Sequence, residues 1–111
     1  MDGPLTRGAV VTVVAPGEYG KPRAALVMLS NLFAEHPSVT VCLITSELRD
    51  APLFRLNVHP SAENGLHHPS QVMVDKIVTV SRGRIGSRVG SLEAKSLWQV
   101  SRALALWIGL A

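Results

Sequence analysis

Three places in this chain set a reactive side chain against an apolar run. Lys21-Pro22-Arg23 opens one run, Thr45-Ser46 ends another, and Asp75 interrupts a third between Val74 and Ile77. Arginine carries a planar fork of donors that matches a phosphate or a carboxylate. It is a poor general base on its own, because its pKa lies above about 12. An acid inside a strand needs a partner, structural or functional. From spacing alone Arg23 reads more often as a solvated loop charge than as a catalyst, and Thr45-Ser46 more often as an ordinary strand end.

Other chemistries have no residues to carry them. His36, His59, His67 and His68 lack a partner set at ligand spacing, and His67-His68 point opposite ways if that segment is extended, so no metal or other cofactor is expected. There is no phosphate-binding P-loop, no dinucleotide fingerprint and no Gly-x-Ser-x-Gly elbow. Cys42 is the sole cysteine and lies within Val39-Thr40-Val41-Cys42-Leu43-Ile44, with no polar group to activate it. It reads as a buried thiol in a reducing compartment.

The positioning elements follow from a folded, apolar composition, with 47% hydrophobic and 17% charged residues in 111, enough for one domain over 1–111. A chain this short and apolar is expected to cover surface with a partner or a second copy. Eleven Lys and Arg against eight Asp and Glu give a net charge of +3, which permits nucleic-acid binding without establishing it. The excess is concentrated late, with Lys76, Arg82, Arg84, Arg88, Lys95 and Arg102 against Glu93 alone. The first residues have no basic region followed by an apolar core, and polar residues break the last apolar stretch. A soluble, cytoplasmic protein without a membrane span is expected.

Gly8 to Ala15 is predicted as a strand closed by the Pro16-Gly17 turn, and Arg23 to Leu29 as a second strand. Leu32 to His36 makes at most one helical turn before Pro37. Ser38 to Thr45 has the strongest strand pattern, a nearly unbroken β-branched run suited to burial on both sides. In Leu53 to Val58 the even positions are apolar and one face should be buried. Pro60 to Pro69 is a loop holding Asn64-Gly65 and His67-His68, and Gln71 to Val80 returns to strand. Ser81 to Gly90 reads as a Gly- and Arg-rich connection. A terminal helix then starts from Ser91 as N-cap with Glu93 in its first turn. Its buried stripe runs through Leu97, Val100 or Ser101, Leu104, and Trp107 or Ile108, with Trp98 off the stripe and suited to an interface. The sum is an α+β domain: a small SH3-like antiparallel β-barrel with a C-terminal helix.

Taken in order, these pieces resemble the MazF/PemK family of toxin endoribonucleases, with the related CcdB/PemK-like fold. The resemblance is carried by Arg7-Gly8, the loop Gly17-Glu18-Tyr19-Gly20-Lys21-Pro22-Arg23, and Ala25-Leu26-Val27. It continues through Ile44-Thr45-Ser46, Val72-Met73-Val74-Asp75, Thr79, Arg84-Ile85-Gly86 and the terminal helix. It implies a homodimeric toxin of a type II toxin–antitoxin system, an mRNA interferase held in check by a cognate acidic antitoxin. The family cuts single-stranded RNA without metal, by attack of a ribose 2′-hydroxyl on the adjacent phosphate. On that resemblance Arg23 stabilises the phosphate charge and Thr45 bonds a phosphate oxygen. The base is left open between Glu18 and Asp75. Tyr19, Lys21, Ser46, His67, His68, Lys76 and Arg82 are the candidate RNA-binding residues.

The chain departs from the family pattern at Ala9, where an acid is usual, at Ala24, where proline follows the arginine, and at Met73, an arginine in some members. Lys76 and Val78 stand where Gln and Arg are common. These changes bear on sequence specificity and on activity. Two other readings fit the same fold: a non-enzymatic, CcdB-like toxin that poisons gyrase, suggested by Trp107-Ile108-Gly109, and an inactive SH3-like binding module.

Overall fold

The computed structural model describes residues 5–14 and 20–111. The expected Pro16-Gly17 turn and the candidates Glu18 and Tyr19 lie outside those residues. Six strands form one antiparallel sheet: β1 (Ala9–Val13), β2 (Arg23–Val27), β3 (Ser38–Thr45), β4 (Arg55–Val58), β5 (Ser70–Ser81) and β6 (Ile85–Ser91). They lie in the order β4-β5-β3-β2-β1-β6, and helix α1 (Ala94–Trp107) follows. The α+β architecture expected from the sequence is the one observed. A single 3₁₀ turn at Asn31–Phe33 takes the place predicted for a helical turn.

Both faces of the sheet are apolar, which fixes the register of every inner strand. Ala9, Val11, Val13, Ala25, Val27, Val39, Val41 and Leu43 form one core. Val10, Leu26, Cys42, Ile44, Val72 and Val74 form the other, onto which α1 seats Val100 and Ala103. β3 sits inside the sheet, flanked by β2 and β5, and Val39, Val41 and Cys42 are fully buried. Each such side chain contributes about 1.5–3 kcal/mol relative to an exposed one.

The register between β3 and β5 shifts once. Leu43 pairs with Met73 but its neighbour Cys42 pairs with Ile77, so β5 accommodates Val74, Asp75 and Lys76 without partners on β3. Across this bulge the parity of β5 reverses. Met73 faces the first core before it, and Val78 and Val80 face the same core after it. A bulge of this kind bends its strand and re-aims side chains.

The loop between β4 and β5 crosses to β6 at the far edge of the sheet order. Ser91 N–H donates to the Glu63 carbonyl at 2.9 Å. Backbones approach so closely there that a Cβ on Gly65 would lie 2.1 Å from the Val89 carbonyl oxygen, and one on Gly90 2.5 Å from Glu63 O. Gly65 also has φ +72°, a left-handed conformation that glycine adopts without steric cost. The crossing links the two edge strands of the curled sheet.

Asn64, with no exposed surface, organises that loop. Its Oδ1 accepts from the Ser61 and Leu66 amides, each at 3.0 Å. Its Nδ2 donates to the His59 carbonyl at 2.8 Å and to Glu93 Oε1 at 3.2 Å. Glu93 Oε2 accepts from the Ser61 hydroxyl at 2.5 Å.

Three expectations are corrected. The N-cap position belongs to Glu93, whose carboxylate binds Ser61 and Asn64, and not to Ser91, which ends β6 and accepts a hydrogen bond from Arg88. The stretch read as a connection contains β6, an edge strand whose residues 86–89 are exposed and so lack apolar periodicity. β4 begins at Arg55, and that arginine, at an odd position, is buried. The apolar even positions therefore do not mark the only covered face.

Asn64→Ala is expected to lower the unfolding free energy by about 3 kcal/mol in a urea titration, since it strands several buried partners at once. An unchanged midpoint would show that the loop does not hold the sheet edges together. Hydrogen bonding by Ser61 first, and by Asn64 less, keeps the Glu93 carboxyl below its ordinary range. The resulting stability is complete above the unfolded-state value of roughly 4.3 and drains away as pH falls through the lower folded value. Glu93→Gln should therefore flatten the acid limb of a stability–pH profile.

Candidate active site

Two clefts meet at Thr45, the last residue of β3. The first, of about 420 Å³, is lined by Arg23, Leu43, Thr45, Glu47, Arg49, Arg55, Met73, Asp75 and Lys76. The second, of about 450 Å³, lies against the opposite face of the sheet, under the 65–68 loop. The structure thus brings Arg23, Thr45, Asp75 and Lys76 into one cleft, and Ser46, His67 and His68 into its neighbour.

The sheet explains the first grouping. Ala25 pairs with Leu43 in the β2–β3 register, and beyond that pair Arg23 and Thr45 line the same cleft. Leu43 in turn pairs with Met73, and Met73 with Arg55, so the same face continues onto β5 and β4. The bulge then delivers Asp75 and Lys76 to that face. Among the described residues four cations and two acids line the cleft, an excess of positive charge of the kind that attracts a polyanion.

Arg55 and Asp75 form a two-pronged ion pair, with Nε donating to Oδ1 at 3.0 Å and Nη2 to Oδ2 at 3.2 Å. Their side chains are 8% and 17% exposed. Both carboxylate oxygens of Asp75 are thereby engaged by a guanidinium, a geometry that fixes the fork of Arg55 at the cleft wall. This answers the need for a partner that an acid inside a strand raises. Arg55 was invisible as a site residue because its partner is separated from it by a strand crossing and a bulge.

Thr45 Oγ1 accepts the Glu47 amide at 3.0 Å, which starts the turn out of β3 and leaves the hydroxyl proton to be donated. Buried Gln71, paired with Thr45 across the strands, clamps the following loop. Its Oε1 accepts from Arg49 N–H at 3.0 Å and its Nε2 donates to Arg49 O at 2.8 Å and Asn57 Oδ1 at 2.9 Å. Arg49 and Glu47, missed in the sequence, reach the cleft through this loop. Their only sequence signal is their closeness to Thr45.

Two candidates stand apart. Lys21 is exposed at the entrance to β2 and lines neither cleft. Arg82 lies at the opposite end of β3: its Nε donates to His36 O at 3.1 Å, and its Nη2 to His36 O at 2.9 Å and to Ala34 O. That guanidinium closes the turn before β3, and Ser38 pairs with Ser81 beside it. It is a structural group remote from Thr45. Cys42 sits beneath the bulge, where burial first and the Asp75 charge second push its thiol up to about 12, so it is held protonated as the sequence reading required. Among the described residues no three His, Cys, Asp or Glu side chains gather as a metal site.

A solved mycobacterial endoribonuclease in complex with its cognate antitoxin superposes with a TM-score of 0.82 at 23% identity, over 96% of this chain and 97% of that one. The MazE–MazF structure (Form-II) from Deinococcus radiodurans gives 0.80 at 20% identity, over 99% and 100%. In sequence, residues 6–108 match the PemK-like, MazF-like toxin of type II toxin–antitoxin systems. A probable endoribonuclease MazF from Mycolicibacterium smegmatis is 38% identical over 108 residues, 96% of this chain and 99% of the relative. The chain belongs to the PemK-like, MazF-like toxin family, and by that homology it is an endoribonuclease of a toxin–antitoxin system. The nuclease reading, and not the gyrase-poison or binding-module reading, accounts for these matches.

Arg55→Met should cost about 3 kcal/mol in thermal unfolding, because it leaves the Asp75 carboxylate without its partner. The double variant Arg55→Met with Asp75→Val should recover most of that loss. Additive losses in the double variant would refute coupling between the two.

Proposed function

We propose that the protein cleaves single-stranded RNA at the charged cleft, without a metal, as a cytoplasmic toxin whose single domain spans residues 1–111. The observation that carries this reading is Arg23 beside Thr45 in a cleft with excess positive charge. The ribose 2′-oxygen attacks the adjacent phosphorus, the bond from phosphorus to the 5′-oxygen breaks, and a 2′,3′-cyclic phosphate and a free 5′-hydroxyl result. The 2′-hydroxyl proton goes to a base and the departing 5′-oxygen gains one.

Arg23 is suited to hold charge on the pentavalent phosphate and to donate to it, and the Thr45 hydroxyl to bond a phosphate oxygen. Arg55, anchored by Asp75, adds a second fixed cation, and Lys76 and Arg49 draw in the RNA backbone. With both oxygens of Asp75 given to Arg55, we assign it the positioning of that arginine and keep Glu18 as the remaining candidate for the base. An acidic antitoxin segment suits the same cleft by charge. The solved relatives are described as toxin–antitoxin complexes, which supports such a partner here.

A homodimer is supported by the apolar surface around α1. Leu53, Trp98, Leu106, Trp107, Ile108 and Leu110 are all exposed, with the Arg102 guanidinium 5.0 Å above the Trp98 ring. Large apolar side chains exposed along one element suit an interaction surface. Among the described residues no helix is long and apolar enough to cross a membrane.

Purified protein incubated with single-stranded RNA in EDTA should yield discrete fragments bearing 5′-hydroxyl ends. Arg23→Ala should reduce cleavage by roughly a hundredfold or more, with an unchanged circular dichroism spectrum. Absence of fragments from the wild type, with capture of gyrase, would replace this reading by the gyrase one.

A further inference from the structure

We propose that Glu47 is the catalytic base of the charged cleft, taking the ribose 2′-hydroxyl proton as the phosphate is attacked. The inference rests on the ribonuclease reading above and deepens it. The sequence offers Glu18 and Asp75 for this role, and the structure adds Glu47.

Among the described residues that line the charged cleft, Glu47 and Asp75 are the carboxylates. The other polar groups there are guanidinium and ammonium groups, which donate and do not accept, and a hydroxyl, which is a weak base. Asp75 gives one oxygen to Arg55 Nε at 3.0 Å and the other to Nη2 at 3.2 Å. A proton placed on it would break a buried ion pair. Glu47 is differently placed. It is exposed, and its carboxylate takes no hydrogen bond or ion pair from any described residue, although four cations share its cleft. Both of its oxygens are therefore left for a substrate.

The backbone holds that carboxylate beside the phosphate site. Glu47 N–H donates to Thr45 Oγ1 at 3.0 Å, so the acid hangs from the hydroxyl assigned above to a phosphate oxygen. Two residues further on, Gln71 binds both the N–H and the carbonyl of Arg49. The segment from Thr45 to Arg49 is thus pinned at both ends, with Glu47 between the pins. A base positioned before the substrate arrives need not be ordered during the reaction. The negative charge also calls for a reason, because a carboxylate in a cleft that gathers a polyanion opposes binding. Proton abstraction supplies one.

In the proposed step the 2′-O–H proton passes to a Glu47 carboxylate oxygen, and the freed electron pair forms the bond from the 2′-oxygen to phosphorus. The bond from phosphorus to the 5′-oxygen breaks, and its electron pair leaves on that oxygen, which takes a proton from water. Glu47 then returns its own proton to water, so the enzyme ends as it began.

The test compares wild type with Glu47→Gln, Glu47→Asp and Glu18→Gln on single-stranded RNA in EDTA. Glu47→Gln keeps the shape and removes the proton acceptor, so kcat should fall roughly a hundredfold or more. Its affinity for a strand made uncleavable by 2′-deoxy substitution should stay equal or tighten up to roughly threefold, since one repelling charge is gone. A merely structural residue would weaken binding along with rate. Glu47→Asp keeps a carboxylate and should regain roughly tenfold of the lost rate. A second substrate carries sulfur in place of the bridging 5′-oxygen, a leaving group that departs without a proton. The Glu47→Gln deficit should persist there, because the 2′-hydroxyl still needs a base. A deficit that vanishes with sulfur would place Glu47 at the leaving group and overturn the assignment. So would a Glu47→Gln variant that cuts RNA at the wild-type rate, or a persistent deficit in Glu18→Gln alone. A wild type that cuts no RNA would sink the ribonuclease reading itself, whichever acid is changed.

Discussion

The bulge in β5 is the constraint on which the site depends. Both faces of this sheet are apolar, so each inner strand must present apolar side chains to both, and a continuous β5 would leave Asp75 and Lys76 no place. By letting Val74 to Lys76 pass unpaired between the partners of Leu43 and Cys42, the strand satisfies both cores and still delivers an acid and a cation to one end of one face. Arg55, Arg23 and Thr45 arrive at the same end through uninterrupted register. The charge cluster is thus a product of sheet geometry, with the β3–β5 irregularity placed where the polar groups are needed.

Around that irregularity the structure holds its clefts by buried amides. Gln71 binds the backbone of Arg49 on one side, and Asn64 binds the loop that walls the other. Among the described residues no buried side-chain nitrogen or oxygen lacks a partner, so each amide is fully used. Buried polar networks of this kind raise the cost of alternative loop conformations. The link from Asn64 through Glu93 carries the same ordering to the start of α1. The helix, the crossing loop and the second cleft therefore share one set of hydrogen bonds.

What the sequence disclosed follows the strength of local signals. β3 was legible over Ser38–Thr45 because burial on both faces demands a run that no helix or loop would favour. β6 was not, because an exposed edge strand has no apolar period, and its Gly90 answers to a backbone contact with residues far earlier in the chain. Arg23, Thr45 and Asp75 could be gathered only by family order; nothing local joins them. Arg55 has no local signal since its burial depends on Asp75, and the carbonyl partners of Arg82 at positions 34 and 36 are visible only in three dimensions.

Asn64 and Gly65 have one more consequence, in the chemistry of ageing. An asparagine followed by glycine is the pair most prone to close a five-membered imide, through attack of the glycine nitrogen on the side-chain amide carbon. Here that nitrogen donates to Ser61 O, and the amide it would attack is fully buried and hydrogen-bonded at both ends. The reaction must wait for the loop to open. The rate at which isoaspartate builds up at this position would then act as a molecular clock, counting the time each molecule has spent with its sheet edges parted.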